Sequence, residues 1–577
     1  MRPRHSSQLS DYLAHETGGW RKKWKGRLPV ALLFPNHYRL GMSNLGFQLV
    51  YDLVNSQPDL VCERVFLPEN HEPPLSVESK RPLRDFPLLL CSVSFEHDYL
   101  NLVRMLLAGA LEPLACQRAA FPMRQPGQPL VMGGGVATFM NPEPLAPFID
   151  LFVIGEAEPV LPRILDFILQ QMERLERREL LWELAKGFPG CYVPGLYDIG
   201  YHPDGTIASM AAPAGLPTRV GKVIMQEPTP AGYSRIMSSQ AEFRDMFLVE
   251  LGRGCSRGCR FCAAGFVYRP PRLWSGQAVV DALERRPAGV ERIGLLGMEM
   301  ARPVDLDAIT SYLLAAGCRL SFSSLRADAV QRPGLLELLR HSGLKSAALA
   351  PDGGSERLRR VINKGFSEHD VLESAAALCE AGVANLKLYF MVGLPTETAA
   401  DLEELVELTR KVRERLLAVG RARGRVPTLT LSINCFIPKP WTPFQFAPCA
   451  SVAVLKDALR LIRGKLAGQA NLKIQAEPPE HAYFQAMLAR GDRRVAVVLL
   501  AMAKTARNWR QLCRDLGVDP AWYAMRERTM AEIFPWEIID HGIQREYLWA
   551  EYRKALAERV TEACDPVRCR RCGVCAP

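Results

Sequence analysis

No stretch of this sequence is long and apolar enough to cross a membrane as a helix, which takes about 20 consecutive apolar residues. The N-terminus, MRPRHSSQLSDYLAHETGG, has no apolar core of the kind a secretory signal carries. No internal repeat stands out. With no signal, the sixteen cysteines point to metal or catalytic use rather than to a disulfide framework. A cytoplasmic location is therefore expected. What remains is ordinary globular composition, 48% hydrophobic and 23% charged, over 577 residues, enough for several domains. The net charge of +10 is compatible with an RNA or other acidic partner, but the charge-rich run 410–425 reads as a solvated helix and loop.

The most informative absence is local. Residues 250–271, ELGRGCSRGCRFCAAGFVYRPP, hold Cys255, Cys259 and Cys262 in a C-x3-C-x2-C triplet with no fourth cysteine beside it. The triplet follows a mostly apolar run, 246–251, that reads as a buried strand. Gly252, Gly254 and Gly258 allow tight turns and close approach to a ligand. Three thiolates on one loop can hold three irons of a [4Fe–4S] cluster, which leaves the fourth iron open. A structural zinc site would want four ligands, and Gly/Arg-rich surroundings do not suit a buried core.

C-x3-C-x-aromatic-C after a strand, with Phe261 before the last cysteine, resembles the signature of the radical S-adenosylmethionine (SAM) superfamily. The resemblance implies that the open iron chelates SAM and that one electron from the reduced cluster cleaves it to methionine and a 5′-deoxyadenosyl radical. It also implies a partial (β/α)6 barrel. Six strand candidates alternate with helical stretches over 246–450: 246–251, 292–296, 320–324, 345–350, 386–392 and 428–434. In barrels of parallel strands the site lies at the carboxyl ends. By resemblance Gly297, Met298 and Glu299 after the second strand would meet the SAM amino group. Ser324 and Arg326 after the third would meet its ribose or carboxylate, for which an Arg fork is suited. Asp352-Gly-Gly-Ser355 is similar to the family's E-x-G-S motif, with Asp where Glu is usual. Residues 388–397, LYFMVGLPTE, resemble the stretch that lines the adenine, so Met391 is a candidate contact, and 431–445 resemble the last barrel strand. Taken singly, Ser355 and Thr396 could each be helix N-caps.

Residues 28–171 alternate apolar runs (30–34, 61–67, 88–93, 130–132, 151–154) with helical patterns (44–54, 99–107 and one ending near 171). Alternation of β and α implies a parallel, doubly wound, Rossmann-like sheet. Ligands on such sheets sit on the loops after the strands. Those loops, HYRLGM, SVSFEH, GGGVAT and GEAE, resemble the cobalamin-binding-type domain that precedes many radical SAM cores. On that resemblance Tyr38, Gly41, Ser94, Gly133, Gly134, Gly135 and Glu156 are candidate contacts, the glycines admitting a nucleotide tail. The D-x-H-x-x-G motif that supplies an axial histidine is missing. Cobalamin would then be bound without a protein histidine, or the domain only packs on the core.

Residues 1–27 read as a leader, 172–245 as a connector of turns and short strands, and 451–563 as a helical region with helices near 452–466 and 547–560 that covers the barrel mouth. Arg490, Arg493, Arg494, Arg507 and Arg510 make that region locally basic, as exposed helix charge. The tail, 564–577, carries Cys564, Cys569, Cys572 and Cys575, which could hold zinc or a second iron–sulfur cluster. The other nine cysteines are expected to be buried as small hydrophobes.

The whole pattern is similar to a radical SAM subgroup with an N-terminal cobalamin-binding-type domain, a C-terminal cysteine cluster and no established substrate. The expected activity is radical SAM chemistry with cobalamin-dependent methyl transfer to an unactivated carbon. Sulfur insertion without cobalamin and a non-enzymatic metal-binding scaffold are the alternatives. A reductant such as flavodoxin or ferredoxin is the expected partner.

Overall fold

The computed structural model describes residues 4–69, 72–120, 123, 125–225, 230–297, 302–322, 325–330 and 333–575. Its N-terminal sheet has six strands: β1 Leu28–Phe34, β2 Leu60–Phe66, β3 Leu88–Ser92, β4 Leu130–Gly134, β5 Leu151–Val153 and β6 Cys191–Tyr192. They lie in the order β2-β1-β3-β4-β5-β6, parallel throughout except at β6. This is the doubly wound arrangement whose strand order reverses at β1/β3, where a crevice opens at the carboxyl ends. Strand β1, LPVALLF, is an almost unbroken apolar run because helices cover both faces of the sheet. The helix Leu45–Asn55 starts where Asn44 accepts a hydrogen bond from Phe47 N at 2.9 Å. Strand β6 lies in the stretch read as connector, so the sheet runs further along the chain than the apolar periodicity shows.

All six strands expected in the core are present, as β7 Phe247–Glu250, β8 Arg292–Leu296, β9 Arg319–Phe322, β10 Ser346–Asp352, β11 Asn385–Val392 and β12 Thr428–Cys435. A seventh, β13 Leu472–Ala476, pairs in parallel with β12 inside the region read as helical. Its alternating half-exposed pattern at a sheet edge carries little apolar signal. The strands form two parallel sheets, β7-β8-β9 and β10-β11-β12-β13. Among the described residues they meet through one bridge, where Leu325 N donates to Ala348 O at 2.8 Å.

Strands β11 and β12 alternate strictly. Leu386, Leu388, Phe390, Leu429, Leu431 and Ile433 are buried against the surrounding helices. Lys387, Tyr389, Met391, Thr430 and Ser432 point the other way and stay half-buried. With a period of two, one face of the sheet is dry and the opposite face lines an accessible interior.

The leader is tied to the body of the protein. Its helix Arg4–Ala14 leads into Glu16–Thr17, which pairs with Met237–Ser238. Among the described residues no helix is long and apolar enough to cross a membrane. The arginines read as an exposed basic set are all engaged. Arg490 is buried and donates to the carbonyls of Ala447, Ala524 and Arg526. Arg493 pairs with Glu143, Arg494 with Asp492, Arg507 with Asp515 and Arg510 with Glu480. Of the nine scattered cysteines eight are buried, and Cys116 is exposed.

Candidate active site

The cysteine loop is framed by a small hairpin at the carboxyl end of β7. Gly252 and Arg253 pair with Leu273 and Arg272. Gly254 (φ +88°) and Gly258 (φ +70°) take the left-handed turns that bend the loop. Cys262 N donates to Cys259 O at 3.0 Å, and Gly265 N to Cys262 O at 3.1 Å. Cys259 is nearly buried, and Cys255 and Cys262 are half-buried. Burial pushes the Cys262 thiol up to about 12, and the neighbouring cysteines add to it. A metal reverses that preference, since a coordinating thiol is deprotonated outright.

Two cations answer the thiols. Arg326 lies within electrostatic reach of Cys259 and Cys255, and Lys364 within reach of Cys259. Lys364 pairs with Asp352, whose carboxyl is pushed up by burial against the pull of Lys364 and Arg326. Asp352 reaches this position through a bulge: Leu349 pairs with Leu388 but Asp352 with Phe390, and Asp352 has φ +60°. The extra residue re-aims the side chain. Arg326 donates to both Asp328 oxygens (3.0 and 3.2 Å) and to Lys364 O (3.1 Å), and Asp328 also pairs with Arg257 of the cysteine loop at 3.2 Å. The Lys364 ammonium stands 5.8 Å from the Phe261 ring. Met391 and Phe261 pack against the same apolar cluster. The structure thus brings Cys255, Cys259, Cys262, Phe261, Arg326 and Asp352 together. Met298, Glu299 and Ser324 lie outside the described residues. Lys364 carries no sequence signal beyond the turn-forming Asn363-Lys364-Gly365.

Ser355 is a cap: its Oγ accepts from Leu358 N at 2.9 Å. Thr396 is not a cap. The helix Ala399–Ala422 is capped by Thr398 in a capping box with Asp401, and Thr396 Oγ1 accepts from Arg357 at 3.1 Å.

On the other side of the hairpin lies a cavity of about 510 Å³. Its throat runs between the N-terminal sheet (Leu32, Leu90, Met132, Val153) and the helices Leu45–Asn55 and Leu161–Gln171. Its mouth collects Ser92, Ser94, Gly134 and Glu156, then Arg253, Tyr268 and Gly297 of the core. It is the crevice beside the β1/β3 switch point, opened toward β7 and β8.

The expected cofactor contacts divide here. Ser94 reaches the mouth, held by Asn44 Nδ2 at 3.1 Å. Gly133, Gly134 and Gly135 all line the cavity, and of the three only Gly134 leaves room for a side chain, the nearest neighbour of an added Cβ being 3.9 Å away. A Cβ on Gly133 would stand 2.7 Å from Phe152, and one on Gly135 (φ +103°) 2.4 Å from Val93 O, so packing requires both. Glu156 lines the cavity but is engaged by Arg272, by Arg253 at 3.3 Å and by Met225 N at 2.8 Å. Burial alone would raise its carboxyl; the arginines hold it below the usual range. Glu156 therefore clamps the hairpin of the cysteine loop to the N-terminal domain. Tyr38 and Gly41 lie away from the cavity. Tyr38 stacks on Tyr12 at 3.8 Å and donates to Ser238 Oγ at 2.9 Å, while Gly41 is needed because a Cβ would stand 2.4 Å from the Phe66 ring.

The residues fit the groups their motifs imply. Three thiols facing an arginine and a lysine suit an anionic cluster with a carboxylate-bearing ligand. The cavity, with an apolar throat and a polar mouth and no histidine in its lining, suits a large ring system with polar fringes held without a protein axial ligand.

Two stretches of the chain match known protein families. Residues 46–194 match the family of N-terminal domains of radical SAM proteins, and residues 249–409 match the radical SAM superfamily. An uncharacterized protein of Methanocaldococcus jannaschii is 27% identical over 474 residues, 82% of this chain and 90% of that one. The ribosomal protein uS12 methylthiotransferase RimO of Salinispora arenicola is 31% identical over 234 residues, 37% of this chain and 44% of that one. The cobalamin-dependent SAM radical enzyme OxsB, solved with aqua-cobalamin bound, aligns at a TM-score of 0.44 and 14% identity over 66% of this chain and 52% of that one. The chain spans about half the length of these last two proteins.

Proposed function

We propose, for a chain that belongs to the radical SAM superfamily, that the two sides of the hairpin 252–273 serve one reaction: SAM on the cysteine side and a corrinoid in the cavity. Cys255, Cys259 and Cys262 would hold the [4Fe–4S] cluster. Arg326 and Lys364 would neutralise the SAM carboxylate, the pair Lys364–Asp352 setting the ammonium in place, and Met391 and Phe261 would pack its apolar parts. When bound, cluster and SAM together supply a 5′-deoxyadenosyl radical able to take hydrogen from an unactivated carbon, and a methylated corrinoid supplies the methyl group. The protein's work is to bind, orient and exclude water. Ser94 and the open Gly134 would face the corrinoid, and the half-buried interior of β11 and β12 leaves room for a substrate.

The observation that carries this reading is the position of Arg253. It leaves the cysteine loop and pairs with Glu156 and Glu158 (2.6 Å) at the rim of the cavity, so both sites share one rigid wall. The test is anaerobic reconstitution with iron, sulfide and hydroxocobalamin, then gel filtration and metal analysis. Stoichiometric cobalt beside iron is expected, with cobalt but not iron lost in Gly134→Leu, which projects a branched side chain into the cavity. Iron without cobalt would sink the methyl-transfer reading and bring sulfur insertion forward.

A further inference from the structure

The open face of the second core sheet carries a graded set of side chains. Strands β10 to β13 pair in parallel register, so side chains on that face line up in rows across the sheet. Nearest the amino ends, Ala348, Lys387, Thr430 and Lys473 form one row. Tyr389, Ser432 and Gln475 form the next, and Met391 and Asn434 form the row at the carboxyl ends. On β11, β12 and β13 every one of these side chains is half-buried or exposed. The opposite side chains of β13, Leu472, Ile474 and Ala476, pack on the apolar core behind the sheet. Across the interior, β7, β8 and β9 present the row Leu248, Gly294 and Ser321, which carries no charge.

The charge of the polar wall is gathered in its first row. Lys387 and Lys473 flank Thr430, two strand spacings apart, about 9–10 Å between Cα atoms. Two flexible four-carbon stems close that gap, so both ammoniums and the Thr430 hydroxyl can meet on one anion. The Lys387 ammonium stands 5.6 Å from the ring of Tyr389, two residues further along the strand. It therefore leans up into the interior, toward the cysteine loop. Among the described residues neither lysine has a carboxylate partner, whereas Lys364 pairs with Asp352 and Lys439 with Glu96. A planar carboxylate is matched by an arginine fork; a tetrahedral phosphate, with three strong acceptor oxygens, takes point charges and a hydroxyl.

We propose that the substrate of this barrel is a small phosphate monoester, its phosphate held by Lys387, Thr430 and Lys473. Tyr389, Ser432 and Gln475 hydrogen-bond the neutral polar groups of its body, and the carbon that reacts lies level with Met391. The proposal rests on the reading that cluster and SAM occupy the carboxyl end of the barrel. Four residues separate Lys387 from Met391, about 13 Å along a strand. The lean of Lys387 shortens that distance, so phosphorus and reacting carbon lie on the order of 10 Å apart. The phosphate is thus a handle remote from the chemistry, and its binding energy serves to orient the carbon under attack.

The experiment uses the full chain, reconstituted anaerobically with iron and sulfide and saturated with SAM without reductant. Inorganic phosphate is the probe, read by equilibrium dialysis. One saturable phosphate per chain is expected. Lys387→Met and Lys473→Met should each weaken it about tenfold or more, since each removes a charged hydrogen bond, and Thr430→Val about threefold. Iron content and SAM binding should stay at wild-type levels in all three. Acetate at matched ionic strength should leave the phosphate in place. Absence of saturable phosphate in the wild type overturns the proposal. So does binding that survives Lys387→Met/Lys473→Met, which marks an adventitious ion only. Displacement by acetate overturns the assignment to a phosphate. Lys473 lies on an exposed edge strand, so Lys473→Met alone decides the matter if the double variant does not fold. Failure of the underlying cluster assignment reads differently: the iron would then survive Cys259→Ala, while phosphate binding still depended on both lysines.

Discussion

The N-terminal sheet is buried on both faces, whereas the core sheet is buried on one. Strand β2 is buried at every position, while β11 and β12 alternate buried and half-exposed along their whole length. A sheet wrapped by helices can be reached only at its carboxyl edge or by a wedge between sheet and helix, and the 510 Å³ cavity is such a wedge. A sheet with one open face offers accessible, mostly polar side chains along its length. The first arrangement suits a large group held by shape. The second suits small charged molecules held by ion pairs, and the charged residues are placed accordingly: Asp352, Lys364 and Arg326 beside the cysteines, Leu32, Leu90 and Met132 in the cavity throat.

Four experiments would break or sharpen that contrast. The largest effect is expected from Cys259→Ala, which should abolish reductive SAM cleavage and remove the iron of the first site while leaving corrinoid uptake intact; assay of 5′-deoxyadenosine and cobalt content on one preparation checks both. Lys364→Met should weaken SAM about 10- to 100-fold, the loss of a charged hydrogen bond, without changing iron content, as equilibrium dialysis would read. If SAM binds Lys364→Met normally, the ion-pair side of the contrast is wrong. Within the N-terminal sheet, Gly135→Ala should cost about 2–4 kcal/mol, from a left-handed φ and a clash with Val93 O. Gly134→Ala should stay within about 1 kcal/mol. Denaturant melts that fail to separate the two would remove the distinction between a glycine crowded by its neighbours and one with room beside it.

The smallest effect concerns pH. Asp401 accepts from Ser355, Arg357 and Thr398, and these bonds, against the opposing effect of burial, lower its carboxyl to about 2. A depressed carboxylate stabilises the fold above its unfolded value near 4, and that contribution is lost as pH falls toward 2. Asp401→Asn should cost about 1–3 kcal/mol at neutral pH and flatten the acid limb of a melting-temperature profile. An acid limb of unchanged slope would assign it to other carboxylates.

The sequence exposed some of this and hid the rest for identifiable reasons. The six core strands and the five parallel strands of the N-terminal sheet were legible because each is an apolar run between turn residues. Strands β6 and β13 were not, being short or half-exposed edge strands. Among the site residues, the cysteines announce themselves by spacing alone. Lys364 and Asn363 do not, since their partners lie at 352, 258 and 561. The glycine run 133–135, which looks like a ligand cradle, does line the cavity, and Phe152 and Val93 O give Gly133 and Gly135 a packing reason as well.

Spacing and periodicity, which are properties of neighbours along the chain, determined the cysteine triplet, the tail cluster and the alternation of strand and helix. Only the folded structure decided that Glu156 serves as a clamp, that Tyr38 is packed on Tyr12 away from the cavity, and that residues 561–572 lie against the cysteine loop some three hundred positions earlier. Those assignments depend on which buried charges and donors find partners, and that pairing is settled by distance in space, to which position along the chain is no guide.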